Sequence, residues 1–591
     1  MAEPKTLLDL FALWRGFAIK PALVDARGGA YAVVPAEEVA RRAAGLGQGL
    51  AALGVEHGDR VAMLVANRPE WHIIDVAVHH LGAANVPIYT TLLAPQVEQL
   101  LRDSGAKVLV VDGAEQLAKA QEIGARCKDL GHVILIDGEP PAGVKSLSEV
   151  TVELSQEAAD AWLASRRGAV APDDLATLIY TSGTTGEPKG AMLTHDNFVF
   201  NAVSSSGQMP WPAEGGEIGL SFLPLSHVLE RLVDYIYFLR GVTIAYCGVL
   251  EIAEAFQRVR PHLFTAVPRV YEKVYDRIHD EVGKAPRLRQ AIFKAAIRTA
   301  LEAYRSGSRG IAWSVYDKLV YSKIRNAFGG RLRFSISGGA PLPVFVGEFF
   351  HAVGVKVMEG YGLTETSPVI AVNTLDRCKV GTVGPVIPGV EVKIAEDGEI
   401  LSRGRHIMKG YWNKPAETAA VIDKDGWFAT GDIGEITPEG LLKITDRKKD
   451  ILVTAGGKNV APQPIENQLK ASIFVENAVL FGDRKPFITA LLVPNFEELE
   501  RWAKLNGIAT ASRKELVARP EVQALYQSVV DGINEKVARF EAVKKFAILS
   551  EPFTMDGGEL TPTLKVKRRV VEKRYKKLID GMYAEGSGKK G

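Results

Sequence analysis

The chain has 591 residues, of which 47% are hydrophobic and 24% charged, so it is long enough for more than one globular domain. Its net charge of +2 argues against a protein that binds nucleic acid over its whole surface. The three cysteines, Cys127, Cys247 and Cys378, lie far apart, which excludes a disulfide scaffold and the usual zinc patterns and favours a reducing compartment.

The first residues are not expected to form a signal peptide, because Asp9 and Arg15 interrupt and follow the apolar residues 7–14. We expect a short amphipathic helix there, packed on the core. No run of about 18 uncharged apolar residues occurs, so no transmembrane helix is expected. These features predict a cytoplasmic protein.

Residues 31–137 alternate between short apolar runs and amphipathic stretches, which predicts an α/β fold with a parallel, doubly wound sheet. The predicted strands are residues 60–65, 86–89, 107–112 and 132–137, and the predicted helices are residues 37–53, 69–82, 95–104 and 115–127. Residues 158–172 are polar and are interpreted as a connection.

Residues 181–190 have the sequence Thr-Ser-Gly-Thr-Thr-Gly-Glu-Pro-Lys-Gly, which is typical of a loop. An apolar strand is predicted before it and a helix capped by Thr194 after it, in the order strand, loop, helix. Glycines let a ligand approach the backbone, and N–H groups, hydroxyls and Lys189 can surround phosphate oxygens. The spacing differs from the Walker pattern, since no Ser or Thr follows the lysine. A flexible surface loop is the alternative.

Further strand–turn units place polar or small residues where the strands of an open α/β sheet end, which is where such sheets bind ligands. His227 follows one predicted strand and is either structural or catalytic. Two Gly-rich turns, in residues 337–341 and 360–366, leave a slot for a flat group on which Tyr361 could stack. Glu365 is either a solvated turn residue or a carboxylate that meets a phosphate through a cation. Asp432, on a predicted tight turn, could accept hydrogen bonds from a ribose diol.

The last third of the chain changes character twice. Residues 381–408 alternate apolar and small or polar residues, which predicts short antiparallel strands in a small barrel-like subdomain. A charged break at residues 447–450 predicts a boundary near Asp446, between a large domain of residues 1–445 and a smaller α+β domain of residues 446–591. From Val566 onward the apolar residues fall on one predicted helical face. The basic residues there are either a solvated face or a contact for anionic lipid or CoA phosphates.

The chain resembles the adenylate-forming superfamily, and within it the long-chain fatty acyl-CoA synthetases of the bacterial type. The matching segments are residues 181–190, Leu-Pro-Leu-Ser-His at 223–227, Ser-Gly-Gly-Ala-Pro at 337–341, Gly-Tyr-Gly-Leu-Thr-Glu at 360–365, Thr-Gly-Asp at 430–432, Asp-Arg at 446–447, Gly-Gly-Lys-Asn at 456–459 and Pro-Thr-Leu-Lys at 562–565. Two positions depart from the family: Leu564 replaces a glycine, and Arg231 stands where some bacterial members have an aromatic gate.

The resemblance implies a role for each matching residue. The phosphate-binding residues would be Thr181, Ser182, Gly183, Thr184, Thr185, Gly186 and Lys189. Adenine and ribose would contact Gly338, Gly339, Ala340, Gly360, Tyr361, Gly362, Asp432 and Arg447. The catalytic residues would be Lys565, Glu365, His227 and Thr364, with Thr184 and Glu365 at Mg²⁺. After a rotation of the mobile small domain at Asp446, the turn Gly456, Gly457 and Lys458 would take the place of Lys565.

The implied reaction is ATP-dependent activation of a long-chain fatty acid to acyl-AMP, followed by transfer to coenzyme A with release of AMP and pyrophosphate. It requires ATP, Mg²⁺ and CoA, and no nucleic acid. Open alternatives are a fatty acyl-AMP ligase that loads a carrier protein, a luciferase-like oxygenase, and a membrane-associated fatty-acid uptake or binding protein. Residues 198–206 and 229–239 are the predicted wall of the acyl pocket. Peripheral contact with the inner face of the membrane and the oligomeric state stay open.

Overall fold

The computed structural model of the protein describes residues 3–182, 187–456, 458–509, 511–554, 557–560 and 566–584. Two large mixed sheets form the framework of its N-terminal region. In this described portion the first has eight strands, six parallel in the middle and one antiparallel at each edge. Its strands are, in spatial order, Val369–Val372, Val357–Gly362, Phe334–Ser337, Leu263–Ala266, Ile218–Ser221, Thr243–Tyr246, Ala22–Asp25 and Ala32–Pro35.

The second large sheet contains the strands predicted for residues 31–137, and they are parallel as expected. In spatial order, its described strands are Gly410–Tyr411, Pro188–Thr194, Leu175–Ser182, Ala84–Pro87, Arg60–Leu64, Val108–Val111, His132–Leu135 and Lys145–Ser146. A smaller antiparallel sheet follows, where the small β subdomain was predicted. It consists of Glu391–Ile394, Glu399–Arg403, Phe428–Ile436 and Leu442–Arg447.

Helices fill the space between the two large sheets and cover their outer faces. In the N-terminal region the α-helices are Leu7–Gly16, Ala36–Ala52, Pro69–His80, Ala94–Ser104, Ala114–Ile123, Leu147–Val150, Gln156–Arg167, His195–Ser206, Val228–Arg240, Ile252–Val259, Pro268–Gly283, Arg287–Ser306, Ile311–Tyr316, Ser322–Asn326, Val344–Ala352 and Pro415–Ala419, with a π-helical turn at Asp317–Tyr321. The first of these packs on the core through Leu10, Phe11 and Trp14, as predicted.

The C-terminal region has its own sheet, Val475–Phe481, Ile488–Pro494 and Val543–Ile548, and a short ribbon, Leu452–Val453 with Asn459–Val460. Its helices are Pro462–Leu469, Phe496–Leu505, Arg513–Ala518, Pro520–Asn534, Arg568–Arg574 and Lys576–Ala584. Separate apolar clusters cover the two faces of the three-stranded sheet. This arrangement is the predicted α+β domain.

A network of buried charges joins helix Pro69–His80 to helix Val228–Arg240. The Arg231 guanidinium donates to Asp75 at 2.8 Å, to Asn85 at 2.9 Å and to the Tyr235 hydroxyl at 2.7 Å. Tyr235 in turn donates to the other Asp75 oxygen at 2.8 Å. Arg231, the residue that departs from the family pattern, is therefore a buried core residue whose guanidinium is paired with a carboxylate and hydrogen-bonded to two further side chains.

Two predictions about local structure were wrong. The polar residues 158–172 are largely a helix, Gln156–Arg167, because Ser155 caps it and Ala159 and Leu163 pack against the core. The predicted order of strand, loop and helix at residues 175–206 lacks one element: a second strand, Pro188–Thr194, pairs antiparallel with Leu175–Ser182 before the helix starts. The predicted helix cap is confirmed: Thr194 Oγ1 accepts the Asn197 N–H at 3.1 Å.

Two further differences concern residues nearer the C-terminus. Asp432 lies within strand Phe428–Ile436 instead of on a tight turn, and Gly431, at φ +72°, supplies the local irregularity. The apolar residues after Val566 do not form one continuous helical face. The helix breaks at Tyr575, which leaves Val571 and Ile579 buried but Val570 and Leu578 exposed. None of the helices in the described ranges is both long and apolar enough to cross a bilayer.

Candidate active site

A cavity of about 2260 Å³ lies where the first large sheet, the small antiparallel sheet and the C-terminal region meet. Residues that line it come from strand ends and from the turns that follow them. The predicted site residues that line it are Thr181, Lys189, His227, Gly338, Gly339, Ala340, Gly360, Tyr361, Gly362, Thr364, Glu365, Asp432, Asp446 and Arg447. The fold thus gathers side chains that are far apart in the sequence.

The hairpin formed by strands Leu175–Ser182 and Pro188–Thr194 brings Lys189 to the cavity. Thr181 and Lys189 are directly opposite each other in its register, and Ser182 is opposite Pro188. Gly183, Thr184, Thr185 and Gly186 lie outside the described residues. The pairing explains why the lysine and the first threonine share one wall despite the loop between them.

Lys189 and Glu365 are connected through Tyr411. The Lys189 ammonium lies 5.1 Å from the centre of the Tyr411 ring, and the Tyr411 hydroxyl donates to Glu365 Oε1 at 2.8 Å. Burial, followed by the charge of Glu365, raises the pKa of Tyr411, so the phenol keeps its proton and acts as the donor. The Lys189 ammonium and the Glu365 carboxylate therefore both line the cavity and both contact the side chain of Tyr411.

Tyr361, Asp432 and Arg447 form a second polar row on the same cavity. The Tyr361 hydroxyl donates to Asp432 Oδ2 at 2.8 Å, and Arg447 Nε lies 3.2 Å from Asp432 Oδ1. Asp432 and Arg447 are direct partners across strands Phe428–Ile436 and Leu442–Arg447. The Asp432 carboxylate is almost fully buried, whereas 44% of the Arg447 side chain is exposed. The row can present a carboxylate and a guanidinium to a hydroxylated ligand.

Close packing requires a glycine at position 362 and leaves little room beside Gly338. A Cβ at Gly338 would lie 2.9 Å from Leu229 Cδ2, and one at Gly362 would lie 1.6 Å from the Pro368 carbonyl oxygen. Larger residues would push either the cavity wall or the turn that carries Glu365. Gly338 and Tyr361, from the two Gly-rich turns that were predicted to leave a flat slot, both line the cavity.

An apolar wall continues from the polar one. Helix Val228–Arg240 lines the cavity with Leu229, Leu232, Val233 and Ile236, on the face opposite to the buried Arg231 network. Helix His195–Ser206 contributes Ser205 and Ser206, while its Phe198 lies in the core. The helix predicted at residues 229–239 is thus a wall of the cavity, and the one at 198–206 reaches it only at its end.

His227 stands at the junction of the polar and apolar walls. Its Nδ1 accepts the Leu229 N–H at 3.2 Å and so caps helix Val228–Arg240. This contact supports a structural role, while the position of the residue on the cavity keeps it within reach of a ligand.

Asp446 connects the N-terminal and C-terminal regions of the chain. Its carboxylate accepts the N–H groups of Arg447, at 2.6 Å, and of Gln463, at 3.2 Å, and Gln463 lies in the first turn of helix Pro462–Leu469. Burial raises the pKa of Asp446 to about 6. Gly456 and Lys458 lie on an exposed turn that does not line the cavity in the described residues. Gly457 and Lys565 lie outside the described residues, and residues 566–570, which follow Lys565 in the sequence, line the cavity.

Two cavity residues were missed by sequence reasoning. Tyr411 carries no motif; its place depends on the pairing of Gly410–Tyr411 with strand Pro188–Thr194. Glu359 is buried at the cavity and accepts the Gly381 N–H at 3.1 Å, and burial raises its pKa to about 7. Glu359 directly follows the apolar residues Val357 and Met358 of its strand and precedes a Gly-rich turn, and an acid at that position was a signal that could have identified it.

The cavity fits a Mg²⁺ ion that is held mainly by a nucleotide. Mg²⁺ usually takes one or two protein carboxylates and completes its shell with water and substrate phosphates. Glu365 offers one half-buried carboxylate beside Lys189, and the described residues contain no cluster of three or more His, Cys, Asp or Glu that would form a metal cage of its own. That donor set matches a nucleotide-bound ion.

Comparisons with known proteins agree along nearly the whole chain. A family model described as AMP-binding enzyme matches residues 13–412, and one described as AMP-binding enzyme C-terminal domain matches residues 449–587. Long-chain-fatty-acid–CoA ligase FadD15 of Mycobacterium tuberculosis is 40% identical over 96% of this chain and 94% of its own length. Long chain acyl-CoA synthetase 6, peroxisomal, of Arabidopsis thaliana is 33% identical over 95% and 83%.

Among solved structures, the anthranilate CoA ligase AuaEII in complex with anthranoyl-AMP superposes with a TM-score of 0.74 at 20% identity, covering 98% of this chain and 99% of the other. The adenylation domain of a carboxylate reductase from Mycobacterium chelonae gives a TM-score of 0.74 at 24% identity, covering 98% and 91%. At this level of identity the two structures support the two-domain fold and nothing finer.

Proposed function

This chain belongs to the AMP-binding enzyme family, and from that premise we propose that it activates a long-chain fatty acid with ATP and transfers the acyl group to coenzyme A. The enzyme uses ATP, Mg²⁺ and CoA and releases AMP and pyrophosphate. The structural observation that carries the proposal is a single cavity in which a charged wall, with Lys189, Glu365, Asp432 and Arg447, adjoins an apolar wall on helix Val228–Arg240.

The charged wall is suited to ATP. Tyr361 and the Gly338 turn form the slot for adenine, and Asp432 with Arg447 accepts and donates hydrogen bonds to the ribose hydroxyls. Lys189 neutralises charge on the outer phosphates, and the hydroxyls of Thr181, Thr184 and Thr185 are proposed to donate hydrogen bonds to them. Glu365 would hold Mg²⁺, which when bound neutralises charge on the phosphates. Thr364 and Lys565 are proposed to contact the α-phosphate.

The chemistry requires charge to be stabilised on oxygen atoms in both half-reactions. The fatty carboxylate attacks the α-phosphorus and pyrophosphate leaves; the CoA thiol then attacks the acyl carbonyl and AMP leaves. Fixed cations and N–H donors that face these oxygens lower both barriers. Helix Val228–Arg240 holds the acyl chain along Leu232, Val233 and Ile236, and His227 caps that helix where the chain meets the phosphates.

We further propose a hinge at Asp446 between residues 1–445 and 446–591. Its bond to Gln463 is a small contact that a rotation can break, and one arrangement of the C-terminal region cannot serve both half-reactions. In this proposal Lys565 acts in adenylation and the turn at Gly456, Gly457 and Lys458 acts in thioester formation. Peripheral contact with the inner face of a membrane, from which a long-chain acid would be drawn, also belongs to the proposal.

The test is pyrophosphate release by the purified protein with ATP, Mg²⁺ and carboxylates from acetate to a long-chain fatty acid, with CoA added or withheld. We expect release that rises with chain length and turns over only with CoA. Lys189→Ala should reduce the rate about 10²-fold, by analogy with the loss of one transition-state donor. Lys409→Ala is the matched control, since the Lys409 ammonium pairs with Asp173 at the surface, and this variant should leave the rate of pyrophosphate release unchanged.

Other outcomes would favour other functions. A single burst that CoA does not affect would support an acyl-AMP ligase that serves a carrier protein. Acyl binding that survives both Lys189→Ala and Glu365→Gln, without pyrophosphate release by the parent protein, would support an uptake or binding protein. Light emission with oxygen would support an oxygenase.

A further inference from the structure

The helical segment of residues 287–326 concentrates positive charge. It contains nine Lys and Arg residues and two acidic residues, Glu302 and Asp317, which gives a net charge of +7 in a chain whose total is +2. We call it the basic hairpin; it comprises helix Arg287–Ser306 and the helical residues from Ile311 to Asn326. The remainder of the chain is therefore net acidic, so the charge is strongly asymmetric.

Most of these cations are not used inside the protein. Arg325 pairs with Asp317 at 2.6 and 3.1 Å, and Arg305 pairs with Glu348 at 2.7 Å. The first pair neutralises one of the two acids of the hairpin. Throughout the described residues, no ion pair is formed by the exposed side chains of Arg287, Arg289, Lys294, Arg298, Lys318 and Lys323. These side chains are available to an anionic partner.

Aliphatic side chains are exposed on the same hairpin. Ile311 is 87% exposed, Val315 and Leu319 are each 52% exposed, and the spacing of four residues puts the three along one side of the helical segment. Leu288, near the start of the hairpin, is 74% exposed. Scattered apolar residues are normal at a surface, but aligned ones among unpaired cations mark a surface that contacts something apolar and anionic.

The hairpin is attached to the wall of the cavity. Helix Arg287–Ser306 packs on helix Val344–Ala352, where Glu348 both pairs with Arg305 and lines the cavity. The rings of Phe293 and His279 lie 5.5 Å apart, which joins the hairpin to helix Pro268–Gly283, another cavity element. Val344, at the start of helix Val344–Ala352, lines the cavity and is itself 51% exposed.

We propose that the basic hairpin docks the enzyme on an anionic lipid bilayer, with Ile311, Val315 and Leu319 entering the headgroup region and the unpaired cations meeting lipid phosphates. A basic helix with an exposed apolar side is the usual composition of such an interfacial element. A nucleic acid would satisfy the cations but would leave the aliphatic side chains in water. The inference rests on the proposed function in one respect: a long-chain acid is dissolved in bilayers, so docking would place the cavity beside its source.

Binding of the full-length protein to vesicles tests this without ATP, CoA or fatty acid, so its result is independent of catalysis. Sedimentation with phosphatidylglycerol–phosphatidylcholine vesicles should capture the protein, and pure phosphatidylcholine vesicles or high salt should release it. The triple variant Lys294→Gln, Arg298→Gln, Lys318→Gln should bind the anionic vesicles about 10²-fold more weakly, since each cation near the surface contributes roughly fivefold. Ile311→Ser with Leu319→Ser should also weaken capture.

The matched control is Lys424→Gln, Lys504→Gln, Lys514→Gln, which removes the same charge from exposed positions outside the hairpin. It should bind vesicles like the parent protein. All variants should retain pyrophosphate release with a water-soluble acid, which also shows that they are folded. The proposal is overturned if the hairpin and control triples lose vesicle binding equally, or if the parent protein binds neutral vesicles as well as anionic ones. It is also overturned if the Ile311→Ser, Leu319→Ser variant binds anionic vesicles fully and the parent protein binds duplex DNA more tightly than it binds those vesicles.

Discussion

The same three side chains, a tyrosine, an aspartate and an arginine, are connected in the same way at two places in this enzyme. At the cavity, Tyr361 donates to one oxygen of Asp432 and Arg447 meets the other. In the core, Tyr235 donates to one oxygen of Asp75 and Arg231 meets the other. Both tyrosines keep their proton, because burial raises the pKa of each phenol.

The difference between the two rows is access to water. Arg447 is 44% exposed at its side chain, whereas Arg231 and Asp75 are completely enclosed. Burial alone would raise the pKa of Asp75, but the charges of His79 and Arg231 hold it well below its usual range. An enclosed row can only fix helix positions, while an open one can exchange its partners for a ligand. The environment, and not the set of residues, therefore decides between structure and binding.

Arginine removal should separate the two rows most clearly. Arg231→Ala leaves the Asp75 carboxylate buried without its guanidinium and should lower the free energy of unfolding by about 3–5 kcal/mol. Arg447→Ala should cost less, about 1–2 kcal/mol, because the guanidinium is half exposed although Asp432 is buried, and it should raise the KM for ATP about tenfold or more through loss of a charge-assisted hydrogen bond. Denaturant unfolding can be followed by Trp71, whose ring lies 5.3 Å from the Arg231 guanidinium. Similar stability losses in the two variants would contradict the comparison.

Glu359 sharpens the comparison, because it is a buried acid at the cavity whose pKa is raised to about 7 instead of lowered. Between pH 4.5 and 7 the folded state keeps a proton that the unfolded chain has released, so this group makes stability fall as the pH rises. The expected loss across that window is on the order of 2–3 kcal/mol. Glu359→Gln should remove this component of the pH dependence in unfolding experiments at several pH values. An unchanged slope would show that the carboxyl ionises normally in the folded protein.

Tyrosine removal should give the smallest effects. Tyr235→Phe deprives the enclosed Asp75 and Arg231 of a partner and should cost about 1–2 kcal/mol of stability. Tyr361→Phe removes one donor from Asp432, which is buried but lines the cavity, so stability should change by about 1 kcal/mol or less and the KM for ATP by a few-fold. Thermal unfolding and ATP titrations of both variants would measure this. A larger stability loss for Tyr361→Phe would reverse the assignment of the two rows.

Local sequence patterns were enough for the general fold. The strand–helix alternation in residues 31–137 was predictable because the spacing of apolar residues within each short segment already distinguishes a strand from a helix. The strand Pro188–Thr194 was missed because its stabilisation comes from pairing with Leu175–Ser182 and Gly410–Tyr411 and not from its own composition. Helix Gln156–Arg167 was missed for a similar reason: Ala159 and Leu163 are a sparse apolar stripe that only the core completes.

For the candidate site, short motifs identified residues but not their partners. Lys189, Glu365, Asp432 and Arg447 were singled out from local sequence, and the structure places all four on one cavity. The contribution of Tyr411 could not be predicted, because it depends on strand register between segments far apart in the chain. Arg231 was visible as a departure from the family pattern, but its partner Asp75 lies 156 residues away. The number of Lys and Arg residues in residues 287–326 can be read from the sequence, whereas their solvent exposure and ion pairing could not be predicted from it.

Strand Leu442–Arg447 ends with a pair of residues that face different regions of the protein. Arg447 meets Asp432 at the cavity, and the neighbouring Asp446 accepts the N–H of Gln463 at the start of helix Pro462–Leu469. If a ligand draws Arg447 away from Asp432, the strand end that also holds this helix is where the two events would be coupled. Thermodynamic reciprocity then requires that the orientation of the helix change the affinity for that ligand by the same factor. The end of one strand would then join occupancy of the cavity and the orientation of this helix in a single equilibrium.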